Sequence, residues 1–346
     1  MKRFEKKATI KDIARMGGVS ISTVSCALND SPKVRPEKRD LIQSIARQLN
    51  YVPHDLARGL VTGNSRTIGL NIGIGDNPYL VKISDKIIHI ARENGYGVLT
   101  SIWQDDESRK KDLNMFIQKS LNGIISGPIF GGYDSTLENI YNNHSIPMVM
   151  IGNSEYMKIP QIGVDFRKAI FLVTEHLIKL GHKEIGYLCM PQTAADWLGG
   201  FKDSLLEYSV KYFPEWCIEG LGTLKEGYDK MKLLLKSASP LPSAFVCHND
   251  LCACGALRAL NEAGLKVPLD MSLTGVDNIE AGMYCTPSLT TVNLKEEDFA
   301  IQVFNQLKKQ IEFTADHKMM NLPNILIEPE LIVRESTSPY KGRKTK

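Results

Sequence analysis

The chain has 346 residues, 43% of them hydrophobic, 23% charged, and a formal net charge of +3. That length exceeds one ordinary domain, so two or three compact units are expected. No apolar run reaches the roughly 20 residues needed to cross a bilayer, and Met1-Lys2-Arg3-Phe4-Glu5-Lys6-Lys7 has no apolar stretch of the signal-peptide kind. The expectation is a cytoplasmic protein, nucleoid-associated when on DNA, with no membrane partner. Its seven scattered cysteines suit a reducing compartment better than a disulfide framework.

The charge is polarised along the chain. Residues 1–66 carry +7 and the remaining 280 residues carry −4. A basic head on a mildly acidic body points to a polyanion partner for the head.

In chain order, Thr9 and Asp12 have capping-box spacing, and Ile10, Ile13 and Ala14 share one helical face. Gly17-Gly18 supplies a sharp turn, Val19 a plug between helices, and Ser20 a good N-cap for a second helix from Ile21 to about Leu28. Val24 and Leu28 are placed to pack inward. Ile21, Ser22, Ser25 and Cys26 then lie on the outer face, with short side chains suited to close approach in a major groove. Thr23 and Ser25 carry hydroxyls suited to phosphate. A third helix starts at Pro36 and reaches Leu49, with Leu41, Ile42, Ile45 and Leu49 on one stripe.

The full string is more specific than its periodicity. Thr9-Ile10-Lys11-Asp12-Ile13-Ala14, Gly18-Val19-Ser20, Ser22-Thr23-Val24-Ser25, Leu28-Asn29, Val34-Arg35-Pro36-Glu37-Lys38-Arg39 and Leu49-Asn50-Tyr51-Val52-Pro53 together resemble the DNA-binding head of the lactose-repressor family. The resemblance implies a helix-turn-helix over 10–29 within a DNA-binding domain of 8–62. It also implies a hinge helix over 54–61, where Leu56-Ala57-Arg58-Gly59-Leu60 is similar to the family's hinge. By that resemblance Thr9, Ser20, Ile21, Ser22, Thr23, Ser25, Cys26, Asn29, His54, Ala57, Arg58 and Leu60 are the DNA-contacting set. Leu60 would be the wedge that unstacks a base step in the minor groove. Two departures stand out. Cys26 replaces an Arg available for guanine, and Gly59 replaces a Ser, which weakens a helix by up to about 1 kcal/mol relative to Ala.

Beyond residue 65 the pattern becomes strand, helix, strand, helix. Thr67–Ile74, Tyr96–Ile102, Gly123–Ile125, Met148–Ile151, Ile185–Cys189, Ala244–Cys247 and Ser272–Val276 read as buried strands. Leu80–Glu93, Ile170–Leu180 and Leu251–Ala263 read as helices. The fold class is α/β, with parallel sheets flanked by helices and ligands at the carboxyl ends of strands. Asp76-Asn77-Pro78-Tyr79, Gly163-Val164-Asp165, Asn249-Asp250, Gly275-Val276-Asp277-Asn278 and Val333-Arg334-Glu335-Ser336-Thr337 look like the family's effector-binding body. The resemblance thus covers about residues 8 to 338.

That body is similar to periplasmic sugar-binding proteins. It implies an effector-binding and dimerisation domain over 66–338. The first lobe would span about 66–164 plus 294–324, and the second about 165–293 plus 325–338. Asn77, Tyr79, Trp197, Asn249 and Asp277 are the implied effector-binding residues. Trp197 stands where relatives usually carry an Arg, and it offers a stacking face and one donor in place of a bidentate charge. The effector is therefore expected to be a neutral sugar or sugar derivative stacked on the ring, the alternative being a site that is altered or lost.

The function expected is a sequence-specific transcription regulator, a repressor acting as a homodimer on a palindromic operator and modulated by that effector. No catalytic site and no cofactor are expected, since no Walker loop, zinc-protease motif, Gly-x-Gly-x-x-Gly turn or nucleophile elbow can be placed. His54, His144, His176 and His182 have simpler surface or junction readings. One alternative is a metal or thiol sensor built from Cys247, Cys252 and Cys254. Cys252 and Cys254 lie two apart on an expected helix, however, so their side chains diverge. Another is a regulator answering to a protein corepressor.

Overall fold

A computed structural model of the chain describes residues 8–28, 30–51, 65–73, 77–129, 134–144, 146–154, 156–189, 195–220, 222–237, 240–314 and 322–342. The chain divides into two units, Met1–Arg66 and Thr67–Lys346. Asn29 and the hinge residues His54, Ala57, Arg58, Gly59 and Leu60 lie outside the described residues.

In the first unit, α1 (Ile10–Gly17) opens where Thr9 donates to the Asp12 carboxylate, from its N–H at 3.0 Å and its hydroxyl at 2.7 Å. Gly17 stays helical. Gly18 alone makes the turn, at φ 59°, a left-handed conformation that glycine adopts without a Cβ clash. α2 (Ile21–Leu28) begins under Ser20, whose Oγ accepts from the Thr23 N–H at 3.1 Å. α3 (Pro36–Gln48) has proline in its first turn, where the missing N–H goes unused.

The three helices close on Ile13, Val24, Ala27 and Ile42, all fully buried, with Ile45 and Ala46 beside them. Leu41, expected on the buried stripe, is 50% exposed. Neighbouring helical positions point about 100° apart, and Ile42 takes the inward one. Arg39 fastens the loop between α2 and α3 by donating to the carbonyls of Ser31 and Val34, each at 3.1 Å.

The described residues of the second unit form three sheets. The first runs in the order β11-β5-β4-β3-β1-β2 and is parallel throughout, formed by β1 (Thr67–Ile72), β2 (Gly97–Ile102), β3 (Gly123–Ile129), β4 (Met148–Gly152), β5 (Gln161–Val164) and β11 (Ile325–Ile327). The second runs β7-β6-β8-β9, also parallel, from β6 (Ile185–Cys189), β7 (Cys217–Glu219), β8 (Ala244–Cys247) and β9 (Ser272–Thr274). β10 (Thr291–Asn293) and β12 (Glu330–Ile332) pair antiparallel.

The chain therefore passes between the two parallel sheets around 164–166, 293–296 and 327–330. β11 had been expected in the second lobe, yet its register with β5 puts it at the edge of the first sheet, so the last crossing falls after residue 327. α4 (Pro78–Glu93) follows β1, and the returning helix α12 (Glu296–Thr314) packs against it, tied by the ion pairs Lys82–Glu296 and Lys86–Glu297. In the second lobe α9 (Leu224–Lys236) and α10 (Asp250–Glu262) cross at contact distance because glycine sits at the crossing. A Cβ on Gly255 would lie 2.0 Å from the Leu224 carbonyl oxygen, and one on Gly227 would lie 2.1 Å from that of Cys252.

Candidate functional site

The head presents one exposed face on α2. Ile21 is 45% exposed, and Ser22 and Ser25 are exposed beside it. Ser20 bridges Ser22 and Thr23 through its hydroxyl at 2.7 and 2.8 Å, so three of the expected contact residues form one hydroxyl cluster at the N-terminus of the helix. The helix dipole already favours a phosphate there. Thr9 is exposed as well. Cys26 differs from expectation. It is half-buried against the head's core, next to the fully buried Ala27, so it supports the helix from its flank more than it projects from the outer face.

In the body, the expected effector residues sit just past the carboxyl ends of strands. Asn77 caps α4, its Oδ1 accepting from the Tyr79 N–H at 2.9 Å, and its Nδ2 donates to Asp277 Oδ2 at 3.1 Å. Tyr79 is 6% exposed, and its hydroxyl has no partner among the described residues. Burial pushes its pKa well up, with Asp277 and Glu296 adding to the shift. Asp277 has a φ of 108°, a region disfavoured for any residue with a side chain, which the surrounding contacts must hold in place. Burial, then the neighbouring Asp250, raises its pKa well above the usual carboxylate range, so the neutral acid is favoured.

Trp197, on α8 (Ala195–Glu207), lies flat on Phe166 at 4.3 Å between centroids and 16° between planes, and meets the His248 ring edge-on at 5.8 Å. One face of the indole is thus covered by Phe166, and Tyr79, Phe166 and Trp197 belong to one buried cluster. His248 is fully buried. Its Nδ1 lies 2.9 Å from the Leu188 carbonyl, while its Nε2 has no partner among the described residues. Burial lowers its pKa to about 4, so the ring is neutral with Nδ1 carrying the proton.

Asn249 is engaged elsewhere than expected. Its Oδ1 accepts from the Cys252 N–H at 2.9 Å as the cap of α10, and its Nδ2 donates to the Gly222 carbonyl at 2.9 Å. One N–H and one oxygen lone pair of the amide are therefore engaged with backbone. Phe166, His248 and Asp250 were not identified from sequence. Asp250 is fully buried, and its carboxylate accepts from Thr291 Oγ1 at 2.6 Å and from the Ile279 N–H at 2.9 Å, bracing the turn that carries Asp277. The sequence signal was the Asn249-Asp250 pair itself, read only at its first member.

A metal or thiol site gathering Cys247, Cys252 and Cys254 together gains no support. Cys247 and Cys252 are buried, with thiol pKa values pushed up by burial, that of Cys252 to about 12. Among the described residues no group of three His, Cys, Asp or Glu side chains is placed to hold a metal ion. None of the described helices is long and apolar enough to cross a membrane.

A three-helix head with an exposed recognition helix, followed by two parallel α/β lobes joined by crossovers, defines a helix-turn-helix regulator with a periplasmic-binding-protein-like body. Residues 9–54 match the bacterial regulatory proteins of the lacI family, and residues 174–337 match the periplasmic binding protein-like domain. The "HTH-type transcriptional repressor PurR" of Haemophilus influenzae (strain PittEE) is 34% identical over 333 residues, covering 95% of this chain and 98% of that one. The protein so named from Pasteurella multocida (strain Pm70) is 32% identical over 334 residues, with the same coverage. Among solved structures, a lac repressor dimer bound to operator and the anti-inducer ONPF superposes with a TM-score of 0.85 at 24% identity, covering 96% of this chain and 100% of that one. A complex of the regulator CelR with cellobiose gives 0.70 at 22% identity, covering 95% and 99%. The chain belongs to the lacI family of DNA-binding transcription regulators.

Proposed function

We propose that the chain is a homodimeric repressor that binds a palindromic operator through its head and hinge, and whose operator affinity is set by a neutral ring-shaped effector held between its lobes. The observation that carries the effector reading is the group of residues at the strand ends. Asn77, Tyr79, Phe166, Trp197, His248 and Asp277 offer aromatic side chains and two buried polar atoms without a partner among the described residues, the Tyr79 hydroxyl and His248 Nε2. None of these side chains carries a positive charge, because His248 is held neutral. Such a surface suits an uncharged ligand over a phosphate or carboxylate.

A sugar or sugar derivative would bring its apolar ring face against the aromatic side chains of Trp197 and Phe166 while its hydroxyls meet Asp277, Tyr79 and Asn77. The solved CelR complex, which holds cellobiose, supports this reading through the shared fold. The flat Phe166–Trp197 stack also favours a second reading, a planar nucleobase inserted against the same rings. A neutral acid at Asp277 presents a hydrogen-bond donor to either.

On DNA, two heads read two half-sites, Ser22 and Ser25 approach base edges, Ser20 and Thr23 meet phosphate, and Leu60 wedges at the centre. Effector occupancy shifts the balance between lobe arrangements and so the separation of the paired hinges.

Selection from randomised duplex DNA with the full chain, wild type against Leu60→Ala, tests the DNA half. A near-palindrome with a central pyrimidine-purine step, weakened in the variant, is the expected result, and an asymmetric or absent motif would refute it. Tryptophan fluorescence against a panel of neutral sugars and nucleobases tests the other half. A saturable change from one class, lost in Trp197→Ala, identifies the effector class, and no response from any member would overturn the neutral-ring reading.

A further inference from the structure

Cys254 Sγ and Cys285 Sγ lie 3.4 Å apart. Cys254 sits on α10, five residues beyond the cap Asn249. Cys285 sits two residues beyond α11 (Glu280–Met283), its thiol donating to the Ala281 carbonyl at 3.2 Å. Both are half-buried, whereas Cys189, Cys247 and Cys252 are buried. The two sulfurs come from stretches 31 residues apart that converge because Asp250, the first residue of α10, binds the Ile279 N–H at the entry to α11.

We propose that Cys254 and Cys285 are a redox-active dithiol, oxidised to an intrachain disulfide by a hydroperoxide. A disulfide needs its sulfurs about 2.05 Å apart, so the pair has to close by roughly 1.4 Å. Side-chain rotation at Cys285, in the irregular stretch after α11, supplies that movement, while the helix holds Cys254 in place.

The sequence of steps balances. The Cys285 thiolate attacks the outer oxygen of the hydroperoxide, an S–O bond forms as the O–O bond breaks, and the alkoxide leaves as alcohol after taking a proton. Cys254 then attacks the sulfenic sulfur. The S–S bond forms, the S–O bond breaks, and the departing hydroxide takes the Cys254 proton to leave as water. Two thiols and one hydroperoxide become one disulfide, one alcohol and one water, and an external dithiol reverses the change.

Cys285, in the irregular stretch after α11, can turn toward a hydroperoxide and takes first attack, while Cys254, fixed on α10 and with its thiol pKa raised by burial and by Cys285 beside it, takes the second, resolving role. Because residues 277–285 carry Asp277 at one end and Cys285 at the other, the cross-link would fasten that stretch to α10. The proposal does not depend on which effector occupies the cleft.

The test uses the full chain treated with one equivalent of hydrogen peroxide, followed by thiol counting, intact mass and peptide mapping. Two of the seven thiols should disappear, with a mass fall of about 2 Da that dithiothreitol restores, and with a 254–285 cross-linked peptide. The pair should react at least about 10-fold faster than the other thiols. In Cys254→Ser, Cys285 should instead stop at a sulfenic acid trapped by dimedone, and in Cys285→Ser the fast phase should vanish. A cross-link between two chains, a different cysteine pair, or uniform slow loss of all thiols in the wild type would overturn the proposal, and these readouts need no variant to fold.

Discussion

Asn77 and Asp277 meet through one hydrogen bond of 3.1 Å, from the amide that caps α4 after the first strand of one lobe to the carboxyl that follows β9 in the other. Two hundred residues separate them, and the bond ties the lobes at the place where strand ends face each other. Removing the amide leaves a buried acid without that donor, which destabilises by about 1 to 3 kcal/mol, and also removes a cap worth about 1 kcal/mol. Asn77→Ala should therefore lower the denaturant midpoint of the body by more than Asn77→Ser, since serine retains the cap and lacks the reach. A midpoint for Asn77→Ser equal to that of the wild type would show that the interlobe bond contributes nothing.

Asp250 makes the body's stability depend on pH in an unusual direction. Burial raises its pKa to about 7 from an ordinary value of 3.8, against the hydrogen bonds from Thr291 and Ile279 that pull it down. Between those two values the folded chain holds a proton that the unfolded chain has released. Stability therefore falls as pH rises from about 4 to about 7 and levels off above, by on the order of 2 to 4 kcal/mol. Asp277, shifted the same way, adds to the slope. Thermal midpoints measured across that range should fall with pH in the wild type and fall less in Asp250→Asn, whose amide can still accept from the Ile279 N–H while Thr291 turns its hydroxyl to accept.

Helices and strands whose sequence pattern reports burial were legible before the structure. Ile13, Val24 and Ile42 fill the head as their spacing implied, and β6 and β8 run as read. The misreadings concern residues whose place is decided by distant partners. Leu41 and Ile42 are equally apolar, and only packing against α1 and α2 turns one outward. β11 and β7, three residues each, are too short for any periodicity and become strands because β5 and β6 offer open edges. At the candidate site, Phe166 lies ahead of the helix read from sequence over Ile170–Leu180, and only the fold sets Trp197 flat against it. Asn249 is a residue type that suits ligand binding and a helix cap alike, and the fold shows it making two bonds to backbone.

In the head, Ser20 and Ser22 separate stability from recognition. Ser20 accepts from the Thr23 N–H as the cap of α2, whereas Ser22 is exposed and meets the Ser20 hydroxyl. Ser20→Ala should reduce head stability by about 1 kcal/mol. Ser22→Ala should leave thermal unfolding of the head unchanged and weaken operator binding several-fold, measured by fluorescence anisotropy at fixed salt. Loss of stability in Ser22→Ala comparable with that in Ser20→Ala would remove the distinction.

The crossing of α9 and α10 gives the sharpest packing test, and it bears on the cleft because α10 is the helix that Asn249 caps. A methyl group on Gly255 would fall 2.0 Å from the Leu224 carbonyl oxygen and 2.7 Å from the Tyr228 nitrogen, both backbone atoms that cannot rotate away. The helices must therefore part. Helix propensity favours alanine over glycine by up to about 1 kcal/mol, so an uncrowded site would gain stability from the change. Overpacking of this kind typically destabilises by 1 to 3 kcal/mol, enough to reverse that gain. Gly255→Ala should lower the body's melting temperature, while Gly264→Ala, whose Cβ meets no neighbour but whose φ of 76° disfavours a side chain, should lower it through backbone strain alone. Shifting α10 also moves Asp250, so the pH slope of Gly255→Ala should flatten and that of Gly264→Ala should not; matching slopes would mean that the crossing and the buried acid are uncoupled.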